Sequence, residues 1–583
     1  MIQTPNKSGL RLGRAPKAYV GEQDKTRPPA QTVAWARERL AALGQDVLRQ
    51  TKRIDTGRLG VPVFISLCGD AATMLTGTKK QMGKGASPEQ AEASALMELA
   101  ERFSFFHFMA SADLPWATAS QIEDGPVMDF AQAAKAVGHP AHDLARARAV
   151  YELLPQQWAW AHNLAAGRDE LVPLSWFYAI NEYNGPAAGN CLEEAVLQSL
   201  CEVIERHVCA LVSQHRLATP AIDPASIVDP ISLELLAKFK NAGVEVFLKD
   251  FTCDMGAPTV AALCYDPATF PKDSEIVYAA GTAPDPEKAL IRALTEVAQL
   301  AGDFHTGSSY KVSALPKFAN LEEAAYVTRA GGTVSLGQLP DLRRDDLGAE
   351  VAACVAALDQ RGYTVYSLDV THPTLQVPAV YTIVPGAHFA QRTFDVDVYF
   401  HAAKLAAQLP DAAQALDVLE QMAAIAGHSH ATHFFRAVAL LELGLAEEAL
   451  NALDTALGLN PPPRDEASMH TQRGVAFKDL ERYDLALEAL AKAASFPEPH
   501  HEVFNLMGFC LFRQKRHMEA IAAFERAIEI EPGAAINYAN IGANMRELGR
   551  LEEACRMYEH ALELDPGLDF ARQSLERLRA MLA

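Results

Sequence analysis

Two stretches of the chain carry acidic side chains at the same spacing, and both end in the pattern Glu-x-x-Glu-Arg. They are GASPEQAEASALMELAERF, residues 85–103, and GNCLEEAVLQSLCEVIERH, residues 189–207. At about 100° per residue on a helix, Ser94, Glu98 and Glu101 fall within an arc of about 60°. Four residues of the second stretch fall within about 80°: Glu194, Gln198, Glu202 and Glu205. We therefore predict two helices, each with a narrow polar stripe.

The surroundings of the second polar stripe indicate what it faces. A polar face is usual on a helix at the protein surface, which is the simpler interpretation. Apolar residues, however, cover most of the remaining helix surface between residues 195 and 212, so we predict that the stripe faces an internal cleft. Buried carboxylates repel one another unless a cation lies between them, and oxygen ligands of this kind suit Mg²⁺. An anionic substrate such as ATP would complete the coordination.

A third predicted helix adds a cation to this pattern. It follows the turn GTAPDP and carries Arg292, Glu296 and Gln299 at positions i, i+4 and i+7. The planar guanidinium group of arginine matches phosphate oxygens in geometry. We therefore predict that Arg292 and Arg206 hold phosphates while the glutamates hold the metal.

Capping signals mark the starts of the first two helices. Ser87 is the predicted N-cap of the first helix, Pro88 occupies N1, and Gln90 at N3 is expected to return the capping hydrogen bond. In the second helix Asn190 and Glu193 are expected to take the N-cap and N3 roles.

The three blocks together resemble the YcaO family. The first block is the GKG run at residues 83–85 with the acidic helix behind it, and the second runs from the Asn-Gly pair at 184–185 into the second acidic helix. The third is the segment 292–299, and the blocks stand in the family's order. The resemblance covers about residues 25–395 and implies an α+β YcaO-type catalytic domain that binds ATP and Mg²⁺.

The resemblance also implies which residues line the ATP site. The predicted ATP-binding residues are Ser94, Glu98, Glu101, Asn190, Glu194, Gln198, Glu202, Glu205, Arg206, Arg292, Glu296, Lys25, Thr32 and Lys84. The predicted Mg²⁺ ligands are Glu98, Glu101, Glu194, Glu202 and Glu205. For Lys25, Thr32 and Lys84 a location at the protein surface is an open alternative, and no residue is assigned a catalytic role.

The resemblance implies ATP-dependent activation of a peptide-bond carbonyl. In this chemistry the amide oxygen attacks the γ-phosphate, a nucleophile then attacks the phosphorylated amide, and phosphate leaves with the former amide oxygen. Depending on the nucleophile, the product is an azoline, a thioamide or an amidine. Because the γ-phosphoryl group carries spread negative charge, the reaction needs Mg²⁺ and positive side chains.

The end of the catalytic region bears on the choice of product. Many azoline-forming members finish with a proline-rich tail, whereas here the region closes near residues 371–386 and helices follow. We therefore expect thioamide formation, a related backbone modification, or an accessory role in ribosomal protein S12 methylthiolation. One alternative is an azoline-forming cyclodehydratase. The other is an ATP-binding scaffold that recruits partners without amide chemistry.

The trailing helices contain a repeat of 34 residues. Its markers are Gly474, Gly508 and Gly542, with alanines that follow each glycine at fixed distances. This is the tetratricopeptide (TPR) period. We predict an all-α TPR solenoid with its clearest repeats at about 430–566 and a capping helix at 567–583. The repeats would bind either the peptide or protein substrate or an auxiliary protein, such as one that delivers sulfide. The alternative is that they support dimerisation and stability. We also expect a homodimer.

Length and composition suit this plan and exclude several classes of protein. We expect a flexible segment at 1–24, a catalytic domain at 25–395 and the repeats at 396–583. Within the catalytic domain we expect strands at the apolar runs that begin at residues 61, 244, 259 and 377. The net charge of −21 argues against a nucleic-acid partner. The chain has no apolar run long enough to span a membrane, and its N-terminal residues lack the apolar core of a secretory signal. We therefore expect a cytoplasmic protein without a membrane partner. The nine cysteines include no CxxC pair, which excludes a zinc knuckle.

Overall fold

The computed structural model describes residues 9–582, except 45, 124, 254, 308, 311–314, 330, 390–395 and 498. The chain divides into two compact units. The first comprises Met1–Leu144 and Gln156–Asp397, and the second comprises Ala145–Pro155 and Val398–Ala583. The domain boundary expected at 395 lies outside the described residues, and nothing in the sequence indicated that residues 145–155 belong to the second unit.

The described strands all belong to the first unit. They are β1 Tyr19–Val20, β2 Asp24–Lys25, β3 Leu48–Arg53, β4 Val63–Cys68, β5 Lys80–Lys84, β6 Trp116–Ala117, β7 Gln156–Asn163, β8 Arg168–Pro173, β9 Pro186–Ala188, β10 Ala221–Ile222, β11 Glu245–Asp250, β12 Thr259–Tyr265, β13 Val277–Thr282, β14 Thr333–Val334, β15 Tyr366–Asp369 and β16 Ala379–Ile383. The four apolar runs predicted as strands form β4, β11, β12 and β16.

These strands form four sheets. β1 pairs with β2, a three-stranded sheet has the order β3-β4-β5, and a five-stranded sheet has the order β13-β12-β11-β10-β14. A six-stranded sheet has the order β6-β7-β15-β16-β9, with β8 also paired to β7. Neighbouring strands are antiparallel, except that β10 and β14 run parallel. The expected α+β class of the first unit is confirmed.

The α-helices that begin within the first unit are α1 Pro29–Ala41, α2 Asp70–Thr76, α3 Pro88–Ser111, α4 Phe130–Ala136, α5 Leu144–Tyr151, α6 Leu174–Asn181, α7 Leu192–His215, α8 Pro230–Asn241, α9 Pro286–Ala301, α10 Ala325–Thr328 and α11 Leu347–Asp359. Short 3₁₀ turns lie at Ala119–Gln121, Ala141–Asp143, Pro224–Ser226, Gly302–Phe304 and Leu336–Gln338. α3 packs against β4 and β5, α7 against β9, β16 and β13, and α9 against β12 and β13. The three helices with polar stripes are therefore each fixed on a sheet.

Glycine at the matched positions of the two acidic repeats lets a helix approach the strand before it. A Cβ atom on Gly85 would lie 2.7 Å from the amide nitrogen of Ala91, and one on Gly189 would lie 2.5 Å from the amide nitrogen of Ala195. Both distances are shorter than van der Waals contact with backbone atoms that cannot move without shifting the helix. The same close approach thus explains why the glycine and the alanine recur in both repeats.

Gly189→Ala is expected to lower the free energy of unfolding of the first unit by about 1–3 kcal/mol, because the added methyl group forces the start of α7 off β9. All five tryptophans of the chain lie in the first unit, so their fluorescence during urea denaturation reports this unit. Gly337→Ala is the matched control, since a Cβ atom there meets nothing within 4 Å. Equal unfolding midpoints for the two variants would contradict the steric argument.

The N-terminal segment differs from the expectation of flexibility. Residues 1–8 lie outside the described part, but Leu10, Ala15 and Glu22 are buried. The Nζ atom of Lys17 lies 2.8 Å from a carboxylate oxygen of Asp24 and 2.6 Å from one of Glu350. The segment is therefore packed against the rest of the first unit. Partners such as Glu350 lie far away in the sequence, so no local pattern reveals this packing.

The second unit is helical. Besides α5 it contains α12 Val398–Ala406, α13 Ala412–Ile425, α14 His430–Glu442, α15 Ala446–Gly458, α16 Pro463–Asp479, α17 Tyr483–Ala494, α18 His501–Arg513, α19 His517–Ile530, α20 Ala535–Glu547, α21 Leu551–Leu564 and α22 Asp569–Leu582. Successive helices from α14 to α21 pack as pairs, and α22 packs on α21. The alanines at the 34-residue period, Ala486, Ala520 and Ala554, are fully buried. The predicted helical repeats are confirmed.

Among the residues that the structure describes, none of the helices combines the length and the apolar character needed to cross a lipid bilayer.

Candidate nucleotide site

Helices α3, α7 and α9 line one cleft of the first unit. Its volume of about 420 Å³ lies within the range of small-molecule binding sites. All fourteen residues predicted from the sequence to bind ATP line this cleft: Lys25, Thr32, Lys84, Ser94, Glu98, Glu101, Asn190, Glu194, Gln198, Glu202, Glu205, Arg206, Arg292 and Glu296. Three segments that are distant in the sequence thus converge, as the polar stripes predicted. That these residues bind a nucleotide stays a prediction.

Arg102 is a cleft residue that the sequence interpretation did not include. Its Nε atom donates to a carboxylate oxygen of Glu98 at 3.0 Å and lies 3.3 Å from one of Glu101. The internal repeat contained the signal, because Arg102 matches Arg206. Arg27, Lys80, Gln81 and Gln90 also line the cleft, and no pattern in the sequence singled them out as binding residues.

The start of α3 confirms Ser87 as the N-cap. Its side chain accepts a hydrogen bond from the backbone nitrogen of Gln90 at 3.3 Å, and Pro88 occupies the first turn. The reciprocal bond expected from Gln90 is replaced by a bond from the Ser87 backbone nitrogen to the carboxylate of Glu22, at 3.1 Å.

The predicted capping of α7 is wrong. Cys191 is the N-cap residue, and no side chain caps the helix. The amide group of Asn190 instead donates to Glu194 at 2.9 Å and accepts from the hydroxyl of Thr32 at 3.0 Å. The carboxylate of Glu193 accepts from the backbone nitrogen of Gly13 at 2.6 Å, so it is not available at the helix start. Asn190 therefore builds the cleft wall, and Thr32 lies buried in that wall rather than at the surface.

Both carboxylate oxygens of Glu194, one of the five predicted magnesium ligands, accept hydrogen bonds from protein donors. Besides Asn190, the Nζ atom of Lys25 lies 3.2 Å from Glu194, and Thr26 donates from both its backbone nitrogen and its hydroxyl. Burial acts to raise the pKa of Glu194, but Lys25 and the hydrogen bonds outweigh it, and the pKa lies below its usual value. Glu194 is thus a stable carboxylate that anchors Lys25 in the cleft.

Glu101 and Glu202 have the opposite electrostatic environment. Burial, together with the charges of Glu98 and Glu202, raises the pKa of Glu101 well above its usual value, although Arg102 opposes the shift. Burial likewise raises the pKa of Glu202, against the effect of Arg206 and Arg102. The Oε1 atom of Glu101 is buried and has no hydrogen-bond donor among the described residues. A bound cation would add to the positive charge of Arg102 and Arg206 and so relieve the repulsion between these carboxylates.

Two arginines lie among the carboxylates of the cleft, Arg292 on α9 and Arg206 on α7. Arg292 donates from Nη1 to the amide oxygen of Gln198 at 2.7 Å, and its Nη2 atom lies 4.0 Å from a carboxylate oxygen of Glu205. The Nη2 atom of Arg206 lies 3.8 Å from Glu202. The Nε atoms of Arg206 and Arg292 are buried without an acceptor in the described part of the chain. Unsatisfied guanidinium donors of this kind fit phosphate oxygens.

The acidic residues fit Mg²⁺ as partial ligands. No group of three histidine, cysteine or carboxylate side chains within the described ranges is arranged as a complete metal site. Mg²⁺ bound with a nucleotide, however, takes one or two carboxylates and several phosphate or water oxygens. The pairs Glu98 with Glu101 and Glu202 with Glu205 would hold the metal in that way, next to phosphates on Arg206 and Arg292.

Lys84 gives the cleft an expected pH dependence. It forms an ion pair with Glu296, and burial together with the charge of Arg292 lowers the pKa of Lys84 to about 8. Lys84 therefore loses its charge as the pH rises through this value, and anion binding weakens. We expect the affinity for ATP to fall from about pH 7 to about pH 9.5, with proton uptake on binding near the upper end.

Calorimetric titration in buffers with different ionisation enthalpies measures this proton uptake. Lys84→Arg, which keeps its charge over this range, should abolish both the uptake and the decline. A wild-type affinity that is equal at both ends of the range would contradict the role of Lys84.

Comparisons with known proteins match both units of the chain. A family model described as YcaO cyclodehydratase, ATP- and Mg²⁺-binding, matches residues 82–388, and a tetratricopeptide repeat model matches residues 501–567. An uncharacterised protein of Methanothermobacter thermautotrophicus is 31% identical over 384 residues, which cover 61% of this chain and 93% of the relative. The ribosomal protein S12 methylthiotransferase accessory factor YcaO of Escherichia coli is 25% identical over 343 residues, which cover 52% of this chain and 56% of that protein.

A solved structure of a heterocyclase in complex with substrate and cofactor shares the fold. Its TM-score is 0.52 at 22% identity, and the match covers 68% of this chain and 56% of the heterocyclase. The family model spans more than half of the present chain and includes the three helices that form the cleft. The chain therefore belongs to the YcaO family and carries C-terminal tetratricopeptide repeats.

Proposed function

We propose that the first unit binds ATP with Mg²⁺ and uses it to phosphorylate the carbonyl oxygen of a peptide bond. The observation that carries this proposal is the cleft itself, which is lined by two carboxylate pairs and by two arginines whose Nε donors lack an acceptor among the described residues. Membership of a family described as ATP- and Mg²⁺-binding supports the choice of ligand.

The side chains of the cleft divide into three tasks. The carboxylates of α3 and α7 would hold the metal, which neutralises charge on the transferring phosphoryl group. Arg206 and Arg292 would hold phosphate oxygens, since the Nε donors of both lack an acceptor among the described residues. Lys84 would add a further positive charge on the strand side of the cleft. Positioned charges of this kind favour phosphoryl transfer because they need no reorganisation when charge develops.

For the product we propose a thioamide or a related backbone modification; a separate proposal is an accessory role in ribosomal protein S12 methylthiolation. The Escherichia coli relative named for that accessory role supports the second of these proposals. Azoline formation is the second candidate, because the family model is described as a cyclodehydratase. Thioamide and azoline formation differ only in the nucleophile, which is sulfide for the thioamide and a neighbouring Cys, Ser or Thr for the azoline.

We propose that the second unit recruits the peptide or protein substrate, or an auxiliary protein that delivers sulfide. Paired helices and the tetratricopeptide match support a recruiting role. A cytoplasmic location, a homodimer and a boundary near residue 395 between the catalytic domain and the repeats belong to the same proposal and stay predictions.

Oxygen transfer tests the proposed reaction whatever the nucleophile. Synthetic peptides that contain Cys, Ser and Thr, with oxygen-18 in their backbone carbonyls, are incubated with the protein, ATP, Mg²⁺ and sodium sulfide. We expect oxygen-18 in the released phosphate, detected by mass spectrometry, because the former amide oxygen leaves with the phosphoryl group. Phosphate that carries only unlabelled oxygen would indicate plain hydrolysis and would favour an ATP-binding scaffold.

A further inference from the structure

A carboxylate from a distant part of the chain holds Ala86 and the N-cap Ser87, the two residues that precede α3. Glu22 lies between β1 and β2, at the tip of their hairpin, and only 2% of it is exposed. It accepts hydrogen bonds from the backbone nitrogen of Ala86, from the backbone nitrogen of Ser87 at 3.1 Å and from the hydroxyl of Ser87 at 2.5 Å. The backbone donors at a helix start lack partners within the helix, and a negative charge there is favourable.

The same hairpin contacts the starts of α9 and α7. In the first turn of α9, Lys288 donates from Nζ to the carbonyl oxygen of Gly21. On α7, Glu194 accepts from Thr26 at 3.3 and 3.2 Å and lies 3.2 Å from the Nζ atom of Lys25. Residues 17–27, which we call the N-terminal strap, thus reach the start of each helix that lines the cleft.

The N-terminal strap is itself anchored by a buried ion-pair cluster. The side chain of Lys17 is 8% exposed and bridges Asp24 on β2 and Glu350 on α11. The strap also contributes Gln23, Lys25 and Arg27 to the cleft wall. It is therefore placed to fix the three helices relative to one another.

We propose that Glu22 is a positioning residue of the nucleotide site. It fixes the start of α3 against α9 and α7, and in this way it sets Glu98 and Glu101 at the distance from Arg292 that the metal and the phosphates require. This inference rests on the proposed nucleotide function of the cleft. Glu22 itself does not line the cleft.

The decisive variant is Glu22→Gln, which keeps the shape of the side chain but offers one acceptor oxygen, and an NH₂ group, to three donors. We expect the affinity for the ATP analogue AMPPCP in the presence of Mg²⁺ to fall about 10- to 100-fold, the loss typical of supporting residues around a metal site. In EDTA the loss should be smaller, because α3 contributes the metal-binding carboxylates. A purely structural role would lower both affinities alike.

The matched control is Glu89→Gln, which removes an exposed carboxylate from the same first turn of α3. Its affinities should stay within twofold of the wild type. All titrations are made at a temperature below the thermal unfolding transition, which is measured for each variant by circular dichroism. Where Glu22→Gln does not fold, Lys288→Met, which removes the contact between the hairpin and α9, is judged by the same ratio of affinities with and without Mg²⁺.

Three outcomes decide the inference. A loss confined mainly to the Mg²⁺ titration supports it. Unchanged affinity, or an equal loss with and without Mg²⁺, overturns it. Absence of AMPPCP binding by the folded wild type would refute the proposed function itself and remove the basis for the role of Glu22.

Discussion

Glu202→Gln is expected to abolish the Mg²⁺ dependence of nucleotide binding while leaving the fold intact. Glu202 of α7 lies near Glu98 of α3 and near Glu205 of its own helix, and its carboxylate is largely buried. Glutamine keeps the shape of the side chain but removes one negative charge from the metal site. We expect the affinity for AMPPCP with Mg²⁺ to fall by at least about 100-fold, measured by competition with a fluorescent nucleotide. In EDTA the affinity should not fall, because a repulsive charge near the phosphates is gone.

Glu234→Gln is the matched control for this variant. Glu234 also forms an i,i+4 ion pair on a helix, with Lys238 at 2.9 Å, but it lies on α8 outside the cleft. Its nucleotide affinity should equal that of the wild type. If folded Glu202→Gln bound AMPPCP in the presence of Mg²⁺ with wild-type affinity, the result would contradict the assignment of the acidic stripes to the metal site.

Arg292→Met should weaken nucleotide binding both with and without Mg²⁺. Methionine fills similar space, but it cannot donate to phosphate oxygens. Two charge-assisted hydrogen bonds of about 1.5 kcal/mol each correspond to a loss of about 100-fold. Arg292→Lys should recover only part of this affinity, because lysine lacks the planar fork. Competition binding in both buffers measures the effect and separates it from that of Glu202→Gln.

The control for this second variant is Arg49→Met. Arg49 is exposed on β3 and forms its ion pair with Asp70, outside the cleft, so its removal should leave nucleotide binding unchanged. If Arg292→Met lowered the affinity in Mg²⁺ alone, the result would point to loss of the metal site instead of a phosphate contact.

Much of the fold and of the candidate site was accessible from the sequence because the signals were local and periodic. Polar residues at helical spacing placed the three stripes on α3, α7 and α9, and the structure brings them to one cleft. The capping pattern at Ser87 and Pro88 located the start of α3. Small residues every 34 positions located the helix pairs of the second unit.

The features that sequence reasoning missed depend on partners far away in the chain. Asn190 has the side chain of an N-cap, but Thr32 and Glu194 use its amide group, so the backbone of Cys191 begins α7 without a side-chain cap. Glu22 binds a helix start 64 residues away, and nothing in the surrounding residues indicates that partner. Such contacts become visible only when the tertiary structure places the groups together.

Calorimetric titration of the wild-type protein with AMPPCP, once with Mg²⁺ and once in EDTA, tests the nucleotide site most directly. We predict binding at a single type of site that depends on Mg²⁺, because the carboxylates of α3 and α7 need the cation before they can accept a phosphate chain. Absence of binding by the folded protein, or equal affinity in EDTA, would contradict the claim that the cleft between α3, α7 and α9 is an ATP site.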